Sequence, residues 1–137
     1  MRIRSKSRGF SIIELMFVVM IIGIIAAITI PNYIKFAKRA KEIVVKENMH
    51  TVRLTVEAFA IGQLGRYPQA ADEVIFKTLM PLGRYPNNPF TNAETVVVWQ
   101  ADPVNPGEIA IFNLAGGGYR IRGHGINGFL DDMVTGN

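Results

Sequence analysis

Glu14 is the residue whose chemistry demands an explanation, because it is a lone carboxylate at the front of a long apolar, uncharged run. An ionisable group costs about 2.5 kcal/mol or more at the centre of a bilayer and less toward its edge, so a partner is expected. The run itself holds no cation. One would be created by cutting the chain after Gly9, since the new amino group of Phe10 would then stand four positions before Glu14. That amine would lie beside its own Glu14 or reach the Glu14 of a neighbouring copy, and the pairing would fix axial register between copies. The plain alternative is a carboxylate that snorkels to the membrane edge.

The element that positions Glu14 is the run behind it. From Leu15 to Ile34 there are 20 consecutive uncharged residues, mostly Ile, Val, Met, Leu and Ala. At about 1.5 Å per residue they cover about 30 Å, the thickness of a bilayer core, which predicts a membrane-spanning helix. Residues 1–9 carry Arg2, Arg4, Lys6 and Arg8 and no acid. This order of charges holds the N-terminus in the cytoplasm. An ordinary secretory signal is cut after its apolar region, whereas Gly9 stands before it. Cleavage at Gly9 would leave the apolar helix on the mature chain.

Gly9-Phe10-Ser11-Ile12-Ile13-Glu14-Leu15, the apolar run and Pro31 together resemble the processing and assembly signature of type IV pilins and type II secretion pseudopilins. The resemblance covers about the first forty residues, with Ser11 where threonine is commoner. It implies that a prepilin peptidase cuts after Gly9 and methylates Phe10, and that Glu14 guides subunit addition. It also implies a region near Pro31 able to melt and extend inside a filament. Looser matches follow at Gly65-Arg66-Tyr67-Pro68, at Tyr85-Pro86-Asn87-Asn88-Pro89-Phe90 and from Tyr119 to Gly128. The chain has no cysteine, so the paired cysteines of many pathogen pilins cannot be carried over.

Pro31 lacks an amide hydrogen and disfavours helical geometry at Ile30, so a kink is expected there, with Gly23 a second soft point. Beyond it Val45, Met49, Val52, Val56 and Phe59 recur at steps of four and three, one apolar face built to pack. Lys38, Glu42 and Lys46 at four-residue spacing predict mutual support along the opposite face. Gly62, Gly65 and Tyr67-Pro68 supply the stop. Residues 66–93 are turn-rich, with room for a short helix only from Asp72 to Met80. Three β-rich runs follow, Thr95 to Gln100, Glu108 to Asn113 and Tyr119 to Arg122. The expected fold is α+β and pilin-like: a long N-terminal helix, transmembrane then amphipathic, packed on a small C-terminal antiparallel sheet. The expected organisation is a cleaved leader over 1–9, a membrane and filament-core helix over 10–34, and a head over 35–137.

Other chemistry is sparse. The charge of +4 comes from the leader: removing its four cations leaves 11 basic against 11 acidic side chains, so bulk charge supports no nucleic-acid surface. Lys35, Lys38, Arg39 and Lys41 form a local cluster that suits a solvated or lipid-headgroup-facing helix end. His50 and His124 are the only histidines, and neither has a second ligand spaced beside it. Gly123-His124-Gly125-Ile126-Asn127-Gly128 spells a dinucleotide-binding pattern but leaves only nine residues after it, too few for the helix that would hold pyrophosphate. It predicts a turn. Arg120 and Arg122 share one face of a strand, read as solvated. Asn127, Asp131 and Asp132 are weak calcium candidates, at the place where the resemblance puts calcium in secretion pseudopilins; otherwise no cofactor is expected.

No nucleophile, base and orienting group converge, so the chain reads as a non-enzyme. The resemblance implies a structural subunit that polymerises with itself, in a pilus or a secretion pseudopilus. The implied partners are the prepilin peptidase, an inner-membrane assembly platform with its motor ATPase, minor pilins, and membrane lipid before assembly. The implied location is the bacterial inner membrane, single-pass with the N-terminus cytoplasmic, then a pilus or periplasmic pseudopilus. A single-pass anchored extracytoplasmic binding protein that does not polymerise is the alternative.

Overall fold

The computed structural model describes residues 9–135. The basic part of the leader, Arg2 to Arg8, lies outside the described residues. The chain divides into two compact units, Met1–Ala37 and Lys38–Asn137.

Helix α1 runs from Ile12 to Gly62, 51 residues, unbroken through Gly23 and Pro31. Pro31 removes one hydrogen bond, to the carbonyl of Ala27, without ending the helix. In the first unit almost every side chain of α1 is exposed, from Ile12 at 80% to Ile30 at 58%. Among the described residues α1 is the helix long and apolar enough to cross a membrane, and none of its apolar window is buried within the chain. Apolar area left wholly uncovered on that scale belongs in lipid or against other chains.

In the second unit the same helix behaves differently. Val45, Met49, Val52 and Val56 are fully buried and Phe59 nearly so. They meet Ile109, Ile111, Tyr119 and Ile121 from a sheet, and Phe76 from helix α2 (Glu73–Thr78). α1 ends where Leu64 and Gly65 adopt left-handed backbone, and the Gly65 amide returns to the Ala60 carbonyl at 2.8 Å.

The sheet contains β1 (Val97–Trp99), β2 (Ile109–Asn113), β3 (Tyr119–Gly123) and β4 (Met133–Thr135), in that spatial order. The α+β class is as expected, but the sheet is mixed. β2, β3 and β4 pair antiparallel, whereas β1 and β2 run parallel with Val97 opposite Ile109. Gln100 turns left-handed, and the connection through Pro103 and Pro106 carries the chain back alongside β1 instead of folding it into a hairpin. On β3, Tyr119, Ile121 and Gly123 are buried and Arg120 and Arg122 half-buried, the alternation of a sheet with one covered face. A Cβ at Gly123 would strike Met49 Sδ and Val45 Cγ1, so glycine there lets strand and helix close.

Polar ties fix the remaining loop. Asn48 Nδ2 donates to the Asn87 carbonyl at 2.9 Å. Buried Asn88 donates to the Pro106 carbonyl and accepts from the Phe90 amide, at 2.9 and 2.8 Å. Tyr119 donates its hydroxyl to Glu57 Oε1 at 2.6 Å.

Candidate assembly and processing site

α1 begins on Ser11-Ile12-Ile13-Glu14, with serine at the N-cap position and glutamate at the third helical position. The Ser11 amide donates to Glu14 Oε2 at 3.3 Å, and the Leu15 amide closes the first turn on the Ser11 carbonyl at 3.2 Å. This is the reciprocal half of a capping box, and the helix dipole adds a favourable field for a carboxylate in the first turn. The sequence reading of Glu14 as a charge in search of a partner missed this intrachain acceptor role, although Ser-x-x-Glu is its signature.

Just before the helix, Gly9 and Phe10 are exposed and non-helical, with Phe10 74% exposed. A Cβ at Gly9 would meet nothing within 4 Å, and its φ lies outside the left-handed region. The fold therefore places no demand for glycine at position 9.

The second group of candidates lies on the turn after β3. Gly125 bonds its amide to the Gly128 carbonyl at 2.7 Å, making the glycine-rich segment a tight reversal. Glu42 and Lys46 do not pair with each other or with Lys38, as their spacing predicted. Glu42 Oε1 accepts from the Ile126 amide at 3.3 Å, and Lys46 Nζ meets Asp131 Oδ2 at 3.0 Å. Tertiary partners take precedence over helix neighbours worth only a few tenths of a kcal/mol.

Arg122 grips Asp132 with Nε and Nη2, both at 2.7 Å, and reaches Asp102 with Nη1 at 2.8 Å. It also lies over the Phe129 ring, while Arg120 stacks on Phe112 at 4.4 Å. The face read as solvated is thus an ion-pair and aromatic network. Arg122 beside Asp132 holds that carboxyl below the usual carboxylate range. Among the calcium candidates, Asp131 pairs with Lys46 and Asp132 with Arg122, and no group of three His, Cys, Asp or Glu gathers among the described residues. His50 is exposed on α1.

Residues 4–30 match the family model described as the prokaryotic N-terminal methylation motif. The chain is 44% identical over 75 residues to the type IV major pilin protein PilA of Myxococcus xanthus (strain DK1622), covering 55% of this chain and 34% of that one. Its N-terminal part is thus similar to that of type IV pilins. A second relative, the type IV major fimbrial protein FimA of Dichelobacter nodosus, is 43% identical over 54 residues, 39% of this chain and 35% of its own. The chain spans about a third of the length of the curated relatives it matches. No solved structure matches it.

The matched segment runs across Gly9, Phe10, Ser11 and Glu14 and ends at Ile30, within the uncovered part of α1.

Proposed function

We propose that this chain is a type IV pilin-like structural, non-enzymatic filament subunit, made as a membrane-inserted precursor. A prepilin peptidase cuts it after Gly9 and methylates Phe10. The chain inserts once in the bacterial inner membrane with its N-terminus cytoplasmic, then leaves the bilayer and polymerises with copies of itself. The observation that carries this reading is Glu14 at the start of a helix whose apolar side chains are uncovered, directly after an exposed Gly9–Phe10 bond. In the free chain Glu14 holds the weak 3.3 Å bond to its own Ser11 amide. On assembly it exchanges that neutral donor for the Phe10 amine of a neighbouring copy, a charge-assisted contact of greater strength. The heterologous contact, repeated, builds a helical filament.

The remaining partners are the inner-membrane assembly platform with its motor ATPase and minor pilins. The relatives are named as a major pilin and a major fimbrial protein, which favours a surface pilus over a periplasmic secretion pseudopilus. The competing reading is an anchored binding protein that never polymerises.

The test is the sheared-filament fraction of native cells carrying wild-type chain or Glu14→Gln. The expected result is at least a tenfold loss of the variant from filaments, with its membrane level and processing intact. Wild-type chain that never leaves the membrane fraction would favour the anchored protein.

A further inference from the structure

Directly beyond the 20-residue apolar run, α1 carries Lys35, Lys38, Arg39 and Lys41, all exposed. None of the four takes part in an ion pair among the described residues, although Lys46, Arg66, Lys77, Arg120 and Arg122 all do. Lys35, Lys38 and Arg39 recur at steps of three and four and so share a helix face. Two aromatic side chains, Tyr33 at 70% and Phe36 at 66% exposure, stand at the end of the run. An amphipathic ring such as that of Tyr33 settles at the membrane–water boundary. If the run fills the hydrocarbon core, residues 35–41 climb roughly 10 Å above it, the span of one headgroup layer.

These cations also have a topological cost. They lie at the end of the span opposite the leader, where four positive charges oppose the orientation that Arg2, Arg4, Lys6 and Arg8 impose. Lys41 also lies over the Phe90 ring at 5.5 Å, so Lys35, Lys38 and Arg39 are the cations of this group with neither an ion pair nor an aromatic partner among the described residues, and anionic headgroups at this depth would supply a counter-charge.

We propose that Lys35, Lys38, Arg39 and Lys41 form a collar that binds anionic phospholipid headgroups of the distal leaflet, with Tyr33 and Phe36 fixing its depth. Guanidinium and ammonium groups supply several donors for a phosphodiester, and the negative surface adds roughly a fivefold preference per cation. The collar retains the subunit in the bilayer until extraction, at which point these contacts are exchanged for neighbours in the filament. The inference rests on the membrane-spanning part of the proposed function and not on polymerisation.

The experiment uses the full chain in vesicles of phosphatidylethanolamine and phosphatidylglycerol, with spin-labelled lipids reporting which headgroups it immobilises. Wild type is compared with Lys35→Gln/Lys38→Gln/Arg39→Gln/Lys41→Gln. The expected result is a preference for phosphatidylglycerol on the order of tenfold or more, falling at least about threefold in the variant, which keeps the leader cations, and weakening in salt. Equal immobilisation of both headgroups by inserted wild type would overturn the proposal. So would selective loss of the preference on adding inorganic phosphate at constant ionic strength, which would mark a site for free phosphate. Failure of the chain to insert would instead strike at the anchor itself.

Discussion

The same helix does opposite things in the two units of this chain. Up to Ala37 its Ile, Val, Met and Phe side chains stand uncovered, whereas eight positions later Val45 is fully buried and four more such residues follow on one face. Residue type alone does not separate these halves. Periodicity does: the first half is apolar all round and the second on one stripe, so the first needs a surrounding that the chain does not provide and the second finds its cover in its own sheet. Glu14 and the cations from Lys35 to Lys41 bracket the uncovered half, one carboxylate before it and four cations after it.

That contrast breaks most visibly if the charge balance across the uncovered half is reversed. Neutralising Arg2, Arg4, Lys6 and Arg8 to Gln leaves the collar as the dominant positive end, and a large share of chains should insert inverted. Protease accessibility of the head in spheroplasts reads this out, and neutralising the collar as well should restore a mixed orientation. Unchanged orientation in the first variant would mean that charge does not set topology here.

The next effect sharpens the contrast between cores. Phe76→Ala empties a buried site packed on Phe59, Tyr85 and Trp99 and should cost the head about 3–5 kcal/mol in urea unfolding of the micelle-bound full chain. Ile24→Ala, in the uncovered half, should leave the head's midpoint within about 0.5 kcal/mol.

Smaller effects belong to the ion pairs of the head. Arg122→Ala removes a bidentate grip on Asp132 and a contact with Asp102, for about 1–2 kcal/mol near neutral pH. Arg122 lowers the Asp132 pKa in the folded chain, so this contribution is complete above the ordinary carboxylate pKa of roughly 4 and fades as pH falls through the depressed value. Unfolding curves of wild type and variant should therefore converge in acid. Lys46→Ala breaks a pair whose Asp131 side chain is 94% exposed and should cost less than about 1 kcal/mol.

Much of the fold was legible because it is periodic. The five-residue stripe from Val45 to Phe59 and the alternation on β3 each name a buried face without reference to anything distant. The direction of β1 was not legible, because Val97–Trp99 has the same composition whether its neighbour runs with or against it, and the connection through Pro103 and Pro106 decides. β4 escaped notice as three residues behind a pair of carboxylates. Glu42 and Lys46 were misassigned because their partners, Ile126 and Asp131, lie 84 and 85 positions away. At the N-terminus, Gly9, Phe10 and Glu14 stood out by type and spacing, while the cap made by Ser11 required the helix start itself.

The central claim is that the Gly9–Phe10 bond is cut and the apolar helix kept. Intact mass and N-terminal sequencing of the chain extracted from native membranes, wild type beside Gly9→Ala, test it directly. Since a Cβ at position 9 meets nothing, the variant leaves the fold undisturbed and alters only what a peptidase sees. The account predicts a chain beginning at N-methylated Phe10 in wild type and an uncut Met1 start in the variant. An uncut wild-type chain in cells that possess the peptidase would contradict it.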